Sequence, residues 1–220
     1  MHSEQLKTAR LDRGWSQQHA AARLGVTQAY LSMLENGRRS AEPLSRRLMR
    51  VYGLPATALP VHDVPVSENV TPDWLAHELA QLGYPGFAHL RGRARAVNPA
   101  EYLLTALSQR NLEARVAEGL PWLVLRYQDM PLDWLVRESR ARMLQNRFGF
   151  VVTLAKRAAA REDLEPLERT LADSKLEKED SYCEELSEAG RRWLREHSSE
   201  EARGWNLLSD MRPGELRYVT

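Results

Sequence analysis

Cysteine is almost missing from this chain of 220 residues: Cys183 is the only one. That excludes an internal disulfide framework and a cysteine-built zinc site. Lysine is scarce too, with four residues against 27 arginines. Beyond the first sixty positions the lysines are Lys156, Lys175 and Lys178, and none lies in a strand-like run. A serine–lysine catalytic pair, which needs a lysine held beside a serine, therefore has no candidate, and no enzymatic activity is expected. No apolar run reaches the roughly 18 residues of a membrane span. The opening Met1-His2-Ser3-Glu4-Gln5 has no basic segment followed by an apolar one, so nothing reads as a secretory leader and a cytoplasmic setting is expected. The six histidines do not cluster, and Asp73 with His77 at i, i+4 has no nearby third ligand, so neither a metal nor a cofactor is expected. Gly83, Gly86 and Gly92 are spaced irregularly and adjoin no strand pattern, which leaves no phosphate-binding loop.

What is present fits a globular chain: 43% hydrophobic and 28% charged residues. The net charge of +1 conceals a gradient, from +5 over residues 1–60 through +2 over 61–160 to −6 over 161–220. A basic head suggests a polyanionic partner at one end, and the acidic stretch 161–201 is a candidate surface for a basic partner. Five of the six tryptophans (Trp74, Trp122, Trp134, Trp193 and Trp205) follow residue 70.

The spacing of apolar residues and caps predicts an all-α protein. Four short helices are expected in residues 1–54: Ser3 to Arg13, Gln17 to Leu24 capped by Ser16, a third capped by Thr27 and running to Asn36, and a fourth from about Ala41 to Tyr52. Gly25 ends the second, and Asn36-Gly37 the third. Pro55, Pro60 and Pro65 deny residues 55–70 a helical period, which marks that segment as an extended linker. A larger helical domain is expected over 71–220. It opens with the capped start Thr71-Pro72-Asp73, passes a loop over 83–97, and resumes at Asn98-Pro99. Pro121 to Tyr127 is too short to assign by period. A stripe at threes and fours, including Leu135, Val136, Met143, Leu144, Phe148 and Val151, predicts one helix of about seven turns from Leu132 to Ala160. Further helices are expected near 163–174, 181–197 and 199–209, and residues 215–220 read as a strand or a frayed end.

Helix, glycine turn, helix over residues 16–36 is the arrangement that carries chemistry, since a second helix crossing the first through a tight turn can enter a DNA major groove. Leu24, Val26 and Leu31 would hold that turn to a core, leaving Gln28, Ala29, Ser32 and Met33 facing outward. In register over Leu6–Leu54, R-x-x-x-G-x-S-Q, A-x-x-L-G-V-T-Q and S-x-L-E-N-G-R-R resemble the Cro/phage-repressor (Xre) family of DNA-binding heads. The resemblance implies a lambda-repressor-like domain that binds double-stranded DNA at a palindromic operator, as a homodimer. It implies that Gln17 meets a phosphate and braces the third helix, and that Gln28 reads adenine. It further implies that Arg10 and Glu35 form a partly buried ion pair, and that Asn36, Arg38 and Arg39 meet backbone phosphates. Thr27 and Tyr30 complete the expected DNA-binding set. Ala29 and Met33 depart from the family's usual polar residues. They offer contact to a thymine methyl but no hydrogen bond, which shifts weight to shape readout.

For the helical body, the apolar segment 121–136, with Trp122, Leu123, Leu125, Tyr127, Trp134 and Leu135, is the candidate dimer or partner interface. Two functions follow. One is a repressor of the antitoxin type, whose body dimerises and binds a protein partner such as a toxin. The body resembles the companions of nucleotidyltransferase-type toxins in general character only, with no motif to carry the likeness. The other is a regulator whose helical body encloses a small molecule.

Overall fold

A computed structural model describes residues 3–61, 70–92 and 97–219. The chain divides into two compact units, one of residues 1–62 with 96–98 and one of residues 63–95 with 99–220.

The first unit holds four helices: α1 Ser3–Leu11, α2 Gln17–Leu24, α3 Gln28–Glu35 and α4 Ser45–Tyr52. Two hydroxyl caps set the boundaries that matter. Ser16 Oγ accepts the His19 N–H at 3.1 Å to open α2, and Thr27 Oγ1 accepts the Tyr30 N–H at 3.2 Å to open α3. Between them Gly25 takes φ +59°, a left-handed conformation open to glycine without a side-chain penalty. Leu6, Leu24, Leu31, Leu34, Leu48 and Tyr52 close the core. The segment expected as an extended linker begins otherwise. Ala56–Ala58 form a single 3-10 turn, and Ala58 and Leu59 are buried, with Leu59 C=O accepting from Asn98 Nδ2 at 2.6 Å. A single 3-10 turn is open to the chain between Pro55 and Pro60, whose fixed φ it accommodates. Residues 62–69 of the expected linker lie outside the described residues.

The second unit is built around one helix. Its elements are α5 Pro72–Gln81, α6 Pro99–Leu107, α7 Ala114–Arg126, α8 Leu132–Ala141, α9 Gln145–Ala158, α10 Glu165–Ala172, α11 Glu188–His197 and α12 Glu200–Gly204. Two short parallel strands, β1 Asp180–Ser181 and β2 Leu207–Leu208, pair Asp180 with Leu207 and Ser181 with Leu208. Every residue of α9 from Gln145 to Ala155 is buried, and α7, α8, α10 and α12 pack around it. A helix enclosed on every side over three turns is a core helix, and its polar side chains are buried with partners. Gly149 lets Trp205 approach α9: a Cβ there would stand 2.3 Å from the indole ring, whose Nε1 donates to Thr153 Oγ1 at 2.7 Å. Gly149→Ala is expected to destabilise this unit by about 1–3 kcal/mol through overpacking. An unchanged urea midpoint would show that the ring can withdraw freely.

Several expectations for this unit need correction. The single helix over 132–160 is two, because Met143 adopts φ +57° and the Leu144 N–H turns back to Ser139 C=O at 2.8 Å, a Schellman-type stop. Met143 is then 68% exposed and not part of the core stripe. The loop expected over 83–97 contains a kinked 3-10 stretch, Pro85–Leu90, and residues 93–96 lie outside the described residues. The expected helices at 181–197 and 199–209 begin late or end early, giving way to β1 and β2. The candidate interface of 121–136 is also largely interior. Trp122, Leu123, Trp134 and Leu135 are buried, with Trp122 packed on Tyr84 at 5.4 Å between ring centroids, while Leu125 and Tyr127 are half-buried. Pro121 lies inside α7, and most of the apolar side chains of this segment fill core helices. Much of the acidic stretch is likewise paired internally: Glu165 and Glu168 with Lys156, Asp163 with Arg161, Glu179 with Arg195 and Glu201 with Arg157.

Among the described residues no helix is long and apolar enough to cross a membrane, and no group of three or more His, Cys, Asp or Glu side chains could hold a metal ion.

Candidate nucleic-acid interface

The site is the outer face of α3 and the turn that follows it. Helical periodicity buries Leu31, Leu34 and Glu35 and leaves Gln28, Ala29 and Met33 exposed, with Ser32 half-buried between them. Tyr30 is half-buried and packs on the core, and Thr27 is exposed with its hydroxyl committed to the cap. Beyond the helix, Asn36 Nδ2 donates to Ser32 C=O at 2.9 Å, and the Arg38 N–H returns to Met33 C=O at 2.8 Å. This holds the exposed Arg38 and Arg39 beside the end of α3.

Behind that face lies a charged pair. Arg10 Nε and Nη2 donate to Glu35 Oε1 and Oε2 at 2.6 and 3.0 Å, and Arg10 Nη1 donates to Trp15 C=O at 2.8 Å. Arg10 and Glu35 are only 6% and 5% exposed. The hydrogen bond from Arg10 to Glu35 raises the guanidinium pKa above its ordinary value against the opposing effect of burial. Burial alone would push the Glu35 carboxyl up. Hydrogen bonds from Arg10 and Gln17, with the Arg10 charge, hold it below the usual carboxylate range instead. Gln17 connects this pair to the surface: its Nε2 donates to Glu35 Oε2 at 3.0 Å, and its Oε1 accepts from Gln28 Nε2 at 3.1 Å. The structure thus brings Arg10, Glu35, Gln17 and Gln28 into one chain running from the interior to the outer face of α3.

Two contributions escaped the sequence reading. Arg47 Nη1 donates to Leu24 C=O at 2.7 Å, satisfying the end of α2 where the turn begins, and so it is not free to serve solvent alone. Trp15 carries Arg23 at 4.7 Å and Arg13 at 5.8 Å from its ring centroid, with His19 accepting from Arg23 Nε at 2.9 Å. Arg47 is 23 positions from its acceptor, and no local signal announces such a contact.

This arrangement offers amide, methyl and thioether groups on one exposed helix face, flanked by arginines, with the helix fixed from behind. Residues 3–60 match the family model described as a helix-turn-helix domain. The head is a helix-turn-helix domain. It is of the Cro/phage-repressor kind expected from the motifs, and such a head suggests a DNA-binding regulator. No curated protein and no solved structure matches the chain. The helix-turn-helix head accounts for about a quarter of the residues, and the second unit has no counterpart from these comparisons.

Proposed function

We propose that this chain is a sequence-specific transcriptional repressor that binds a palindromic duplex operator as a homodimer, in the cytoplasm. The exposed face of α3 supports it most: Gln28, Ala29 and Met33 stand clear of a core that fixes the helix beneath them. On this reading Gln28 reads a base, since a glutamine amide matches the donor and acceptor of adenine in the major groove. Ala29 and Met33 meet thymine methyls. Asn36, Arg38 and Arg39 meet phosphates from the turn, and Gln17 meets one from the start of α2.

The two contact types separate experimentally. Gln28→Ala should weaken operator binding by about 1–3 kcal/mol and relax preference at one position. Arg38→Ala should weaken all sequences alike and flatten the dependence of log affinity on log salt by about 0.9. A sequence-selective loss in Arg38→Ala, measured by competition over a duplex library, would overturn its assignment to a phosphate.

The second unit carries the regulatory input. In the antitoxin reading it binds a protein partner, a toxin, and the complex represses the operon that encodes both. Co-purification of the full chain with the product of a neighbouring gene, in fixed stoichiometry, tests that reading. A second reading, regulation by a small molecule, is favoured by one observation. A cleft of about 320 Å³ lies in this unit, lined by residues that include Leu112, Glu118, Tyr182, Cys183, Leu194 and Met211. Clefts of that size are in the range that holds small ligands.

A further inference from the structure

None of the ten residues of α11 is buried, although its Leu194 is half-buried. Leu194 and, just ahead of the helix, Leu186 line the cleft of about 320 Å³. Leu112, Tyr182 and Leu208, all buried, line it too. The result is an apolar recess open to solvent, from which an apolar group displaces water favourably.

The charged side chains of the lining all have one sign. Glu118, Asp210 and Glu215 are exposed at the cleft, and no lysine, arginine or histidine lines it. Glu215 has Arg212 at 3.7 Å, whereas the carboxylates of Glu118 and Asp210 form no ion pair or hydrogen bond among the described residues. This contrasts with the rest of the unit, where Glu165, Glu168, Glu179 and Glu201 each meet a cation. An anionic ligand would find only repulsion at this cleft. A cation on an apolar body matches both the recess and its charge.

We propose that the cleft binds a small organic cation, an amine carried on an aryl or alkyl body. The body lies against Leu112, Tyr182 and Leu194, and the ammonium group meets Glu118 and Asp210. The proposal rests on the reading of the second unit as regulated by a small molecule, and gives that molecule its class. Buried apolar surface supplies the affinity, and the carboxylates choose among ligands of equal shape. The volume is at the low end of ligand pockets, which suits a free molecule of one ring and a short chain.

The test titrates the full chain by calorimetry with three probes that share one body: phenylbutylamine, phenylbutanol and phenylbutanoate, each with the ring at the end of the chain. The amine should bind about fivefold more tightly than the alcohol, the upper range for an exposed ion pair, and the carboxylate more weakly than either. Glu118→Gln together with Asp210→Asn should bring the amine down to the alcohol and leave the alcohol unchanged. Leu194→Arg, which sets a long cation over the recess from an exposed helix, should abolish binding of both. An amine that binds no better than the alcohol, or whose advantage survives the double exchange, would overturn the ligand class. Binding that survives Leu194→Arg, or no binding by any probe, would overturn the cleft as the site. Regulation is tested separately by repeating the amine titration with a selected duplex present, because an effector of DNA binding must change its own affinity by linkage. An unchanged affinity would overturn the regulatory reading and leave the site standing.

Discussion

Replacing Arg147 with Met should destabilise the second unit by about 3 kcal/mol, the low end of the loss for breaking a buried charged pair, because Arg147 is buried and Asp180 half-buried. Arg147 lies on α9 and is buried. All five of its N–H groups are used. Nε and Nη2 donate to Asp180 Oδ2 and Oδ1 at 2.8 and 2.9 Å; Nη1 donates to Leu107 C=O and Gln109 C=O at 2.9 and 2.7 Å; Nη2 donates again to Ser181 C=O at 2.6 Å. One guanidinium therefore joins the C-terminal end of α6, the central helix and β1. A cation at the end of α6 also meets the negative end of that helix's dipole. Methionine fills the stem but takes the guanidinium from three carbonyls and leaves the Asp180 carboxylate with the Ser181 N–H, and buried acceptors that lose partners are costly. Arg147→Lys should recover only part of the loss, because a point charge with three donors cannot serve the same planar set. Urea unfolding followed in the second unit checks both substitutions. A midpoint for Arg147→Met within error of the parent would mean that water reaches these groups and that the pair has little structural weight.

Glu35→Ala should act on the head with comparable force, destabilising it by about 3–5 kcal/mol because Arg10 would be left buried without its carboxylate. Removing both partners together, as in Arg10→Met with Glu35→Leu, should cost less than the single change, since no uncompensated charge remains. The same pair makes the head acid-sensitive in a defined direction. The Glu35 carboxyl titrates lower in the folded head than in the unfolded chain. Its stabilisation is thus complete above the ordinary carboxylate range and is lost as pH falls through the depressed folded value. Amide exchange at Leu31 and Leu34, read between neutral and acidic pH, should show protection falling in the parent and a much flatter profile in the double variant. Equal profiles would show that other groups govern acid unfolding.

The head was legible because its signals are local. Ser16 and Thr27 act within three residues of themselves, and Gly25 needs only its own φ, so α2 falls at Gln17–Leu24 as its spacing predicts. The body hides its turns. Met143 ends α8 with a left-handed residue that has no glycine or asparagine to announce it, and the apolar stripe keeps its phase across the break. Pro121 sits within α7, where its usual meaning is a boundary. The pairing of β1 with β2 joins residues more than twenty positions apart and spans only two residues on each side, too few for an alternation to show. Trp122 and Trp134 read as interface residues because composition cannot tell a tryptophan that meets another protein from one that fills a core. At the site, the outward positions of α3 follow from its period. The join of Gln17 to both Glu35 and Gln28, and the hold of Arg47 on Leu24, depend on side-chain direction across the fold and on no spacing in the chain.

Selection of duplexes from a random library by the full chain tests most directly whether the outer face of α3 reads DNA. Two half-sites whose centres lie about one helical turn apart, roughly 34 Å, should be enriched, as expected when two recognition helices of a dimer enter successive major grooves. One position in each half-site should lose its preference in Gln28→Ala. A library recovered without any enriched sequence, at salt low enough to retain binding, would contradict that role for α3.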